Sequence, residues 1–593
     1  VFALEKLKNI SKTLLKPVIK NSRFFTVTYI VGLITVIFVL DHGKRHISVF
    51  ELLFEVYLLC VVINLLPRRL GNTIKAMIYF LAYSLGITDM FVYLLLGAPF
   101  GPDFLRIVLQ TNSSEASEAI SSYLTWQSLL SPILLFFAVL IIHVASYFYK
   151  KRIVLPQNIK RTVLWCFPPL LLFSMLIGSR NEWYIINNLL LTRSGNDMEK
   201  KGILPHDGGL YLPVYRFIYS VRAMNIEARQ IDTLKENAKK VKVGKCAYTV
   251  PDIVFIIGES YNRSHSSLYG YPLKTTPRQE ALAKSGNLIW FTDVISPDNF
   301  TSQVFRVAFS LYANGCKGEW TDYPLFTQLF KQSGYNVTFI TNQFIVNPGN
   351  DIHDMLGGQF INDPYLNDCQ FSRRNKKKHK SDLDLIADYD SLKRFETRHN
   401  LTIFHFIGQH AAYDIRYPAE FRRFTAKDYK RNELKDEDIE NLAHYDNSIY
   451  YNDFVVTEIV KLFAGRDAIV IYMPDHGEIV YDYGAKFGHA MAVKSKEEII
   501  PQFDIPFWIW VSPMFKERHN DIYERIKKVR NMPFMTDNID QMLIYLGGIS
   551  TEYYRPTDNP LDNSYNVKRK RMIKDSIDYD VITGKKTRSQ TKK

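Results

Sequence analysis

A chain of 593 residues is too long for one compact domain, and its formal charge of +14 first raises nucleic acid as a partner. The placement of the charge excludes that: much of it flanks apolar segments near the N-terminus, and more sits near the C-terminus in "VKRKRMIK" and "GKKTRSQTKK", a pattern of membrane topology and a solvated, mobile end. The five cysteines show no metal-type spacing, so cysteine is not the ligand type in this chain.

Five apolar stretches are long enough to cross a bilayer, at roughly 24–41, 47–66, 76–97, 127–149 and 162–179. The last carries Pro168 and Pro169, which a membrane helix tolerates where neighbours satisfy the freed carbonyls. Lys and Arg in the loops set the orientation. Lys6, Lys8, Lys12, Lys16, Lys20 and Arg23 precede the first span; Arg68, Arg69 and Lys75 follow the second; Lys150, Lys151, Arg152, Lys160 and Arg161 follow the fourth. The alternate loops hold only Lys44, Arg45 and Arg106. The N-terminus is therefore expected inside, with everything after about residue 180 outside. No cleavable signal peptide is expected, because the first span is too long and lacks a small-residue cleavage site. Glu55 and Asp89 fall within the second and third spans, where ionisable groups are costly and mark functional sites; an interfacial position is the competing reading. In the outer loop, "LQTNSSEASEAI" suits a short surface helix.

Trp183 and Tyr184 suit an interfacial belt, and 213–243 reads as an amphipathic helix that turns polar. From about residue 250 the pattern changes. "DIVFIIGES", "NVTFITNQ", "LTIFHFIGQH" and "AIVIYMPDHGE" are short runs rich in β-branched residues, separated by helix-length segments. That is the pattern of buried parallel strands in an α/β fold. The expected layout is a five-helix membrane domain (1–180), a connector with a bridging helix (181–250), an exported α/β domain with a mostly parallel central sheet flanked by helices (251–555), and a basic C-terminal tail (556–593).

The four runs end in Glu259, Asn342, His410, and Asp475 with His476. Open α/β sheets build sites outside the carboxyl ends of their strands, so Glu259, Asp475 and His476 are expected to hold one metal ion. The segment 291–315 reads as strand, loop and helix, with Thr301 at or near the helix N-terminus. There the exposed N–H groups and the helix dipole favour an anion, and a neighbouring zinc ion would turn the hydroxyl into a nucleophile. An N-cap role for Thr301 is the competing reading, and Ser302 is the nearest rival nucleophile. Glu259, His410, Asp475, His476 and His489 each also admit a local role in a turn or loop.

Together, "GESYNRSHSSLYGYPLKTTP" (258–277), "FHFIGQHAAYDIRYP" (404–418), "YDNSIYYND" (445–453), "MPDHGE" (473–478) and "FGHA" (487–490) resemble the bacterial phosphoethanolamine transferases. These have an alkaline-phosphatase-like or sulfatase-like catalytic domain and include the lipid A, lipopolysaccharide-core and colistin (polymyxin) resistance enzymes. The resemblance implies that Glu259, Asp475 and His476 ligate zinc, and that Thr301 ligates zinc and carries phosphoethanolamine. It implies that His410 and His489 lie beside the transferred phosphate, able to bind a second zinc or the acceptor, and that Thr111 and Glu115 lie near the donor headgroup. It further implies a phosphatidylethanolamine donor, a lipopolysaccharide or other glycan acceptor, diacylglycerol release, and a monomeric inner-membrane enzyme with a periplasmic catalytic domain.

Two departures bear on the branch. The stretch usually Gly-Ser-His-Gly-Pro reads Gly-Gln-His-Ala-Ala around His410, and only Cys316 and Cys369 are placed to form a disulfide, with two free thiols the equal alternative. Both point away from the lipid A enzymes and toward those acting on core sugars or other glycans. The rival readings are glycerol-phosphate transfer of the lipoteichoic-acid-synthase type, hydrolysis by a sulfatase-like phosphohydrolase, and a membrane anchor with a degenerate domain. A sulfatase of the usual type would need a Cys/Ser-x-Pro-x-Arg motif at the nucleophile, and a degenerate domain would have lost a ligand; neither holds here.

Overall fold

The computed structural model describes residues 2–39, 45–96, 100–101, 105, 133–148, 156–186, 189, 210–345, 359–410, 412–484, 486–489, 493 and 495–585. Two compact units divide the chain, Val1–Ala228 and Arg229–Lys593.

The first unit is helical: α1 (Phe2–Lys20), α2 (Ser22–Val39), α3 (Arg45–Leu65), α4 (Arg68–Leu96), α5 (Ile133–Phe148) and α6 (Gln157–Ile186), followed by the start of α7 (Pro213–Ala238). Among the described residues four segments are long and apolar enough to cross a membrane, Ser22–Val39, Ile47–Leu65, Arg68–Tyr93 and Gln157–Ser179. The segment expected as the fourth of five spans is described only as α5, a shorter apolar helix of 16 residues. Pro168 and Pro169 lie inside α6. The N-terminal arm, read from sequence only as a carrier of charge, is the amphipathic helix α1, which buries Ser11 and Leu15 and exposes Lys12, Lys16 and Lys20. Asp89 has partners within the unit. It is fully buried on α4 and paired to Arg216 of α7, through Nη2 at 2.5 Å and Nε at 3.1 Å, and it accepts the Phe100 N–H at 2.8 Å. Thr111 and Glu115 lie outside the described residues.

The second unit is built on a seven-stranded sheet. In chain order its strands are β1 (Asp252–Gly258), β2 (Leu288–Phe291), β3 (Asn336–Thr341), β4 (Arg373–Arg374), β5 (Asn400–His405), β6 (Ala468–Pro474) and β7 (Phe507–Val511). The spatial order is β2-β7-β6-β1-β5-β3-β4, and only β7 runs against its neighbours. β1, β3, β5 and β6 are buried throughout, as an apolar run covered on both faces requires. One face packs Phe255, Ile471 and Phe339 against helix α8 (Thr301–Phe309); the other packs Val254, Phe404 and Tyr472 against the long helix α9 (Asp436–Phe463).

The C-terminal segment is not a solvated tail through residue 585. Arg569 pairs with Asp537, the 3% exposed Arg571 pairs with Asp293 and Asp580, and Ile573 and Tyr579 are buried. The alternating basic and apolar residues of this stretch face acids and core of the domain, which a count of Lys and Arg alone does not reveal. Cys316 and Cys369 are free thiols.

Candidate active site

The register of the sheet places the ligands. β1 runs parallel to β6 with Gly258 opposite Pro474, so Glu259 and Asp475 leave the sheet side by side. On its other edge Ile257 lies opposite His405, which brings the turn toward His410 to the same end. Two glycines let the strand ends close. A Cβ on Gly258 would meet the Tyr472 hydroxyl at 2.5 Å, and one on Gly408, at φ +47°, would meet the Glu259 nitrogen at 2.9 Å. Ser260 takes φ +53° without being glycine. It is held there by its N–H to Asp475 Oδ1 (3.1 Å), its hydroxyl to Glu259 Oε1 (2.8 Å) and the Tyr445 hydroxyl on its carbonyl (2.7 Å).

Thr301 is the first residue of α8, and Phe300 occupies the N-cap position without a side-chain cap. The Thr301 hydroxyl therefore does not cap. It lies 3.1 Å from Glu259 Oε2, 3.3 Å from Glu259 Oε1 and 3.3 Å from His476 Nε2. His476 Nε2 in turn lies 3.3 Å from Asp475 Oδ2 and 3.5 Å from Glu259 Oε1. A tetrahedral ion about 2.0 Å from each ligand sets ligand atoms about 3.3 Å apart, in line with the 3.1–3.5 Å separations above. Asp475 Oδ1 accepts the Ser260 and His476 N–H groups, while the buried Oδ2 has no hydrogen-bond partner. His476 Nδ1 lies 2.9 Å from the Gly477 carbonyl. A carbonyl only accepts, so the proton sits on Nδ1 and Nε2 is free to ligate. Two carboxylate oxygens, an imidazole and a hydroxyl fit a zinc-type ion. Among the described residues Glu259, Asp475 and His476 form the single group of three such side chains with converging ligand atoms.

The electrostatics agree. Burial works to raise Glu259, but the charges of His476 and His410 and the bonds from Gln343 and Ser260 hold it down at about 2. Burial and the Glu259 charge push Asp475 up to about 7. Burial alone would lower His476, and the two carboxylates raise it instead. Left without a cation, this buried cluster retains a proton that a divalent ion would displace.

His410 and His489 border this group. His410 follows β5, its carbonyl accepts Arg416 Nε at 2.9 Å, and its charge acts on both Glu259 and His489. His489 stands with its ring perpendicular to that of His476 at 4.7 Å, and its Nε2 lies 3.4 Å from Glu478 Oε1. Enclosure there, with the His476 charge, pushes it down to about 3.

Sequence reasoning passed over two side chains. Gln343 donates from Nε2 to Glu259 Oε2 (2.9 Å) and to the Phe406 carbonyl (2.6 Å). Its neighbour Asn342, singled out as the polar end of β3, turns to Asp382 instead. Glu478, quoted in "MPDHGE" without a role, is buried beside His489 and pushed up to about 8 by that burial. The signal was present for Glu478 as a charge next to two ligands; for Gln343, an uncharged residue after a strand, there was none.

The Sulfatase family pattern matches residues 251–571. Over most of its length the chain is similar to phosphoethanolamine transferase EptC of Escherichia coli strain K12, 24% identical over 539 residues that cover 88% of this chain and 89% of that protein. It is also similar to phosphoethanolamine transferase CptA of Salmonella typhimurium strain LT2, 23% identical over 517 residues covering 84% and 83%. In fold it is similar to the integral membrane protein lipooligosaccharide phosphoethanolamine transferase A (EptA) from Neisseria meningitidis, with a TM-score of 0.54 at 17% identity, covering 91% of this chain and 97% of that one.

Proposed function

The chain belongs to the Sulfatase family, and from that premise we propose that it is a metal-dependent transferase moving phosphoethanolamine from phosphatidylethanolamine to a lipopolysaccharide or other glycan acceptor. The observation that carries the reaction type is the Thr301 hydroxyl, set at the start of α8 within 3.1–3.3 Å of Glu259 and His476. The near full-length similarity to phosphoethanolamine transferases supports the donor group.

Glu259, Asp475, His476 and Thr301 would hold one zinc ion, with a second at His410 and His489 as the alternative that a metal count decides. A bound ion supplies Lewis-acid charge that lowers the pKa of a ligating hydroxyl and offsets charge on phosphoryl oxygens. Thr301 Oγ1 attacks the donor phosphorus; the Oγ1–P bond forms, the bond from phosphorus to the glycerol oxygen breaks, and diacylglycerol leaves with a proton. An acceptor hydroxyl or phosphate oxygen then attacks the phosphothreonine, and Thr301 is released. His410 protonates the leaving oxygen and later takes the proton of the acceptor, while His489, pushed down to about 3 and so neutral, can serve only as a base or ligand. The dipole of α8 favours the anionic phosphoryl group at its start. The apolar helices of the first unit would hold the enzyme in the inner membrane, with its N-terminus cytoplasmic and its catalytic domain periplasmic, so that a lipid donor is met at high effective concentration. Thr111 and Glu115 are proposed near the donor headgroup, and a monomer is the proposed state.

The test is a donor assay with the purified full-length protein in detergent. Phosphatidylethanolamine carrying a fluorescent acyl chain is added and diacylglycerol release is followed. Release is expected from the wild type and lost in Thr301→Ala and after chelation, with a phosphoethanolamine adduct in the intact mass of the wild type. Release from phosphatidylglycerol alone would replace this reading with glycerol-phosphate transfer.

A further inference from the structure

Six of the eight residues Arg373–Lys380 are Lys or Arg. A run of charge is ordinarily a solvated face, but this one is bolted to the strand ends that build the site. The Asn375 side chain bonds both backbone groups of Thr341, accepting the N–H at 3.0 Å and donating to the carbonyl at 2.9 Å. The His379 N–H reaches Asn342 Oδ1 at 2.7 Å. Asp382 accepts Asn342 Nδ2 at 3.0 Å and the N–H groups of Ile407 and Gly408, each at 2.9 Å. The chain neighbour of Asn342 is Gln343, which bonds Glu259, and Gly408 packs against the Glu259 backbone. One residue thus separates the anchors of the loop from the shell of the metal ligand.

The loop is also chemically one-sided. Arg374 is turned inward, over the rings of Phe339 and Phe371, and serves as an anchor. Arg373, Lys376, Lys377, Lys378 and Lys380 are exposed. Asp388, beside the loop, is engaged by His379 Nε2 at 2.8 Å and Asn375 Nδ2 at 2.9 Å. Among the described residues no acidic side chain pairs with Lys376, Lys377 or Lys380. Ordered like charges repel one another, and a polyanion relieves that repulsion.

We propose that the loop Arg373–Lys380 is the acceptor-docking surface of this enzyme, and that it selects an acceptor bearing several phosphate groups. The proposal rests on the transferase reading above. It separates the two substrates by charge. The phosphatidylethanolamine headgroup pairs one phosphate with one ammonium and gains little from clustered lysines, whereas a multiply phosphorylated saccharide gains from each of them.

The test uses the full-length protein in non-ionic detergent and the triple variant Lys376→Gln, Lys377→Gln, Lys380→Gln. Two probes are titrated, a bisphosphorylated acylated disaccharide and the same disaccharide with its phosphates removed. The expected result is a Kd for the phosphorylated probe about tenfold weaker in the variant and at raised salt, no change for the dephosphorylated probe, and recovery in the matching Lys→Arg triple. Donor cleavage should stay within about twofold of the wild type, since the headgroup is zwitterionic. Equal wild-type affinity for the two probes would overturn the proposal. So would a variant whose only loss is binding to phosphatidylglycerol vesicles, which would assign the loop to the membrane surface. Failure of the transferase reading is separate, because it shows as a wild type that releases no diacylglycerol.

Discussion

Thr301 differs from an ordinary threonine at a helix start in what its hydroxyl faces: two carboxylate oxygens and an imidazole rather than a free N–H. Gln343 keeps one of those oxygens in place. Gln343→Leu is expected to leave the fold intact and to weaken metal affinity about 10–100-fold, the usual cost of losing a partner behind a ligand; competition with a chromogenic chelator reads it. Further from the metal, His265 is buried with Nδ1 2.7 Å from Asp446 Oδ1 and Nε2 3.7 Å from Asp482. Burial would lower it, but the two aspartates raise it to about 10. A raised folded pKa stabilises the fold fully below the ordinary histidine value of about 6.5 and loses that contribution as pH rises through about 10. The protein is therefore expected to lose stability between those values, and His265→Gln to flatten that slope in urea unfolding measured across the alkaline range. At this scale the charged ligands were legible because each follows a strand. The amide of Gln343 was not, because an uncharged side chain carries no mark of what it will bond.

At the scale of elements, four buried strands follow directly from their β-branched runs, and Gly258 opposite Pro474 explains why two residues 216 positions apart, Glu259 and Asp475, meet. The mostly parallel sheet and the family resemblance read from the motifs are borne out. What sequence could not order was the lateral arrangement, since β7 enters between β2 and β6 and runs the other way. The C-terminal segment is the clearest correction. Arg571 is expected to act as a structural residue: Arg571→Ala leaves Asp580 without this partner and Asp293 with Lys585, and should cost about 1–3 kcal/mol, measured as a lower urea midpoint. A solvated end would show no change.

For the whole molecule, charge distribution and the apolar helices make one joint statement about topology. A reporter active only outside the cytoplasm is expected to be active when fused after residue 245 and silent when fused in the basic segment near residue 152. Activity at both positions would overturn the proposed orientation. That expectation rests on Lys and Arg clustering on alternate loops. The composition left α1 unread as a helix, because its apolar residues are interleaved with lysines, and only the structure shows that Leu15 is packed against Phe54 and Phe167. The register of β1 has one more consequence, for the life history of the protein. Asp475 and His476 are adjacent in the unfolded chain, but Glu259 joins them only when β1 is zipped to β6, and Thr301 only when the start of α8 packs beside them. Of these four groups only two are neighbours in the unfolded chain; the full set exists only once β1 and β6 are paired. An ion held by this set would be captured only after that pairing, so the compartment where the pairing forms, rather than the site of synthesis, would set which metal is bound.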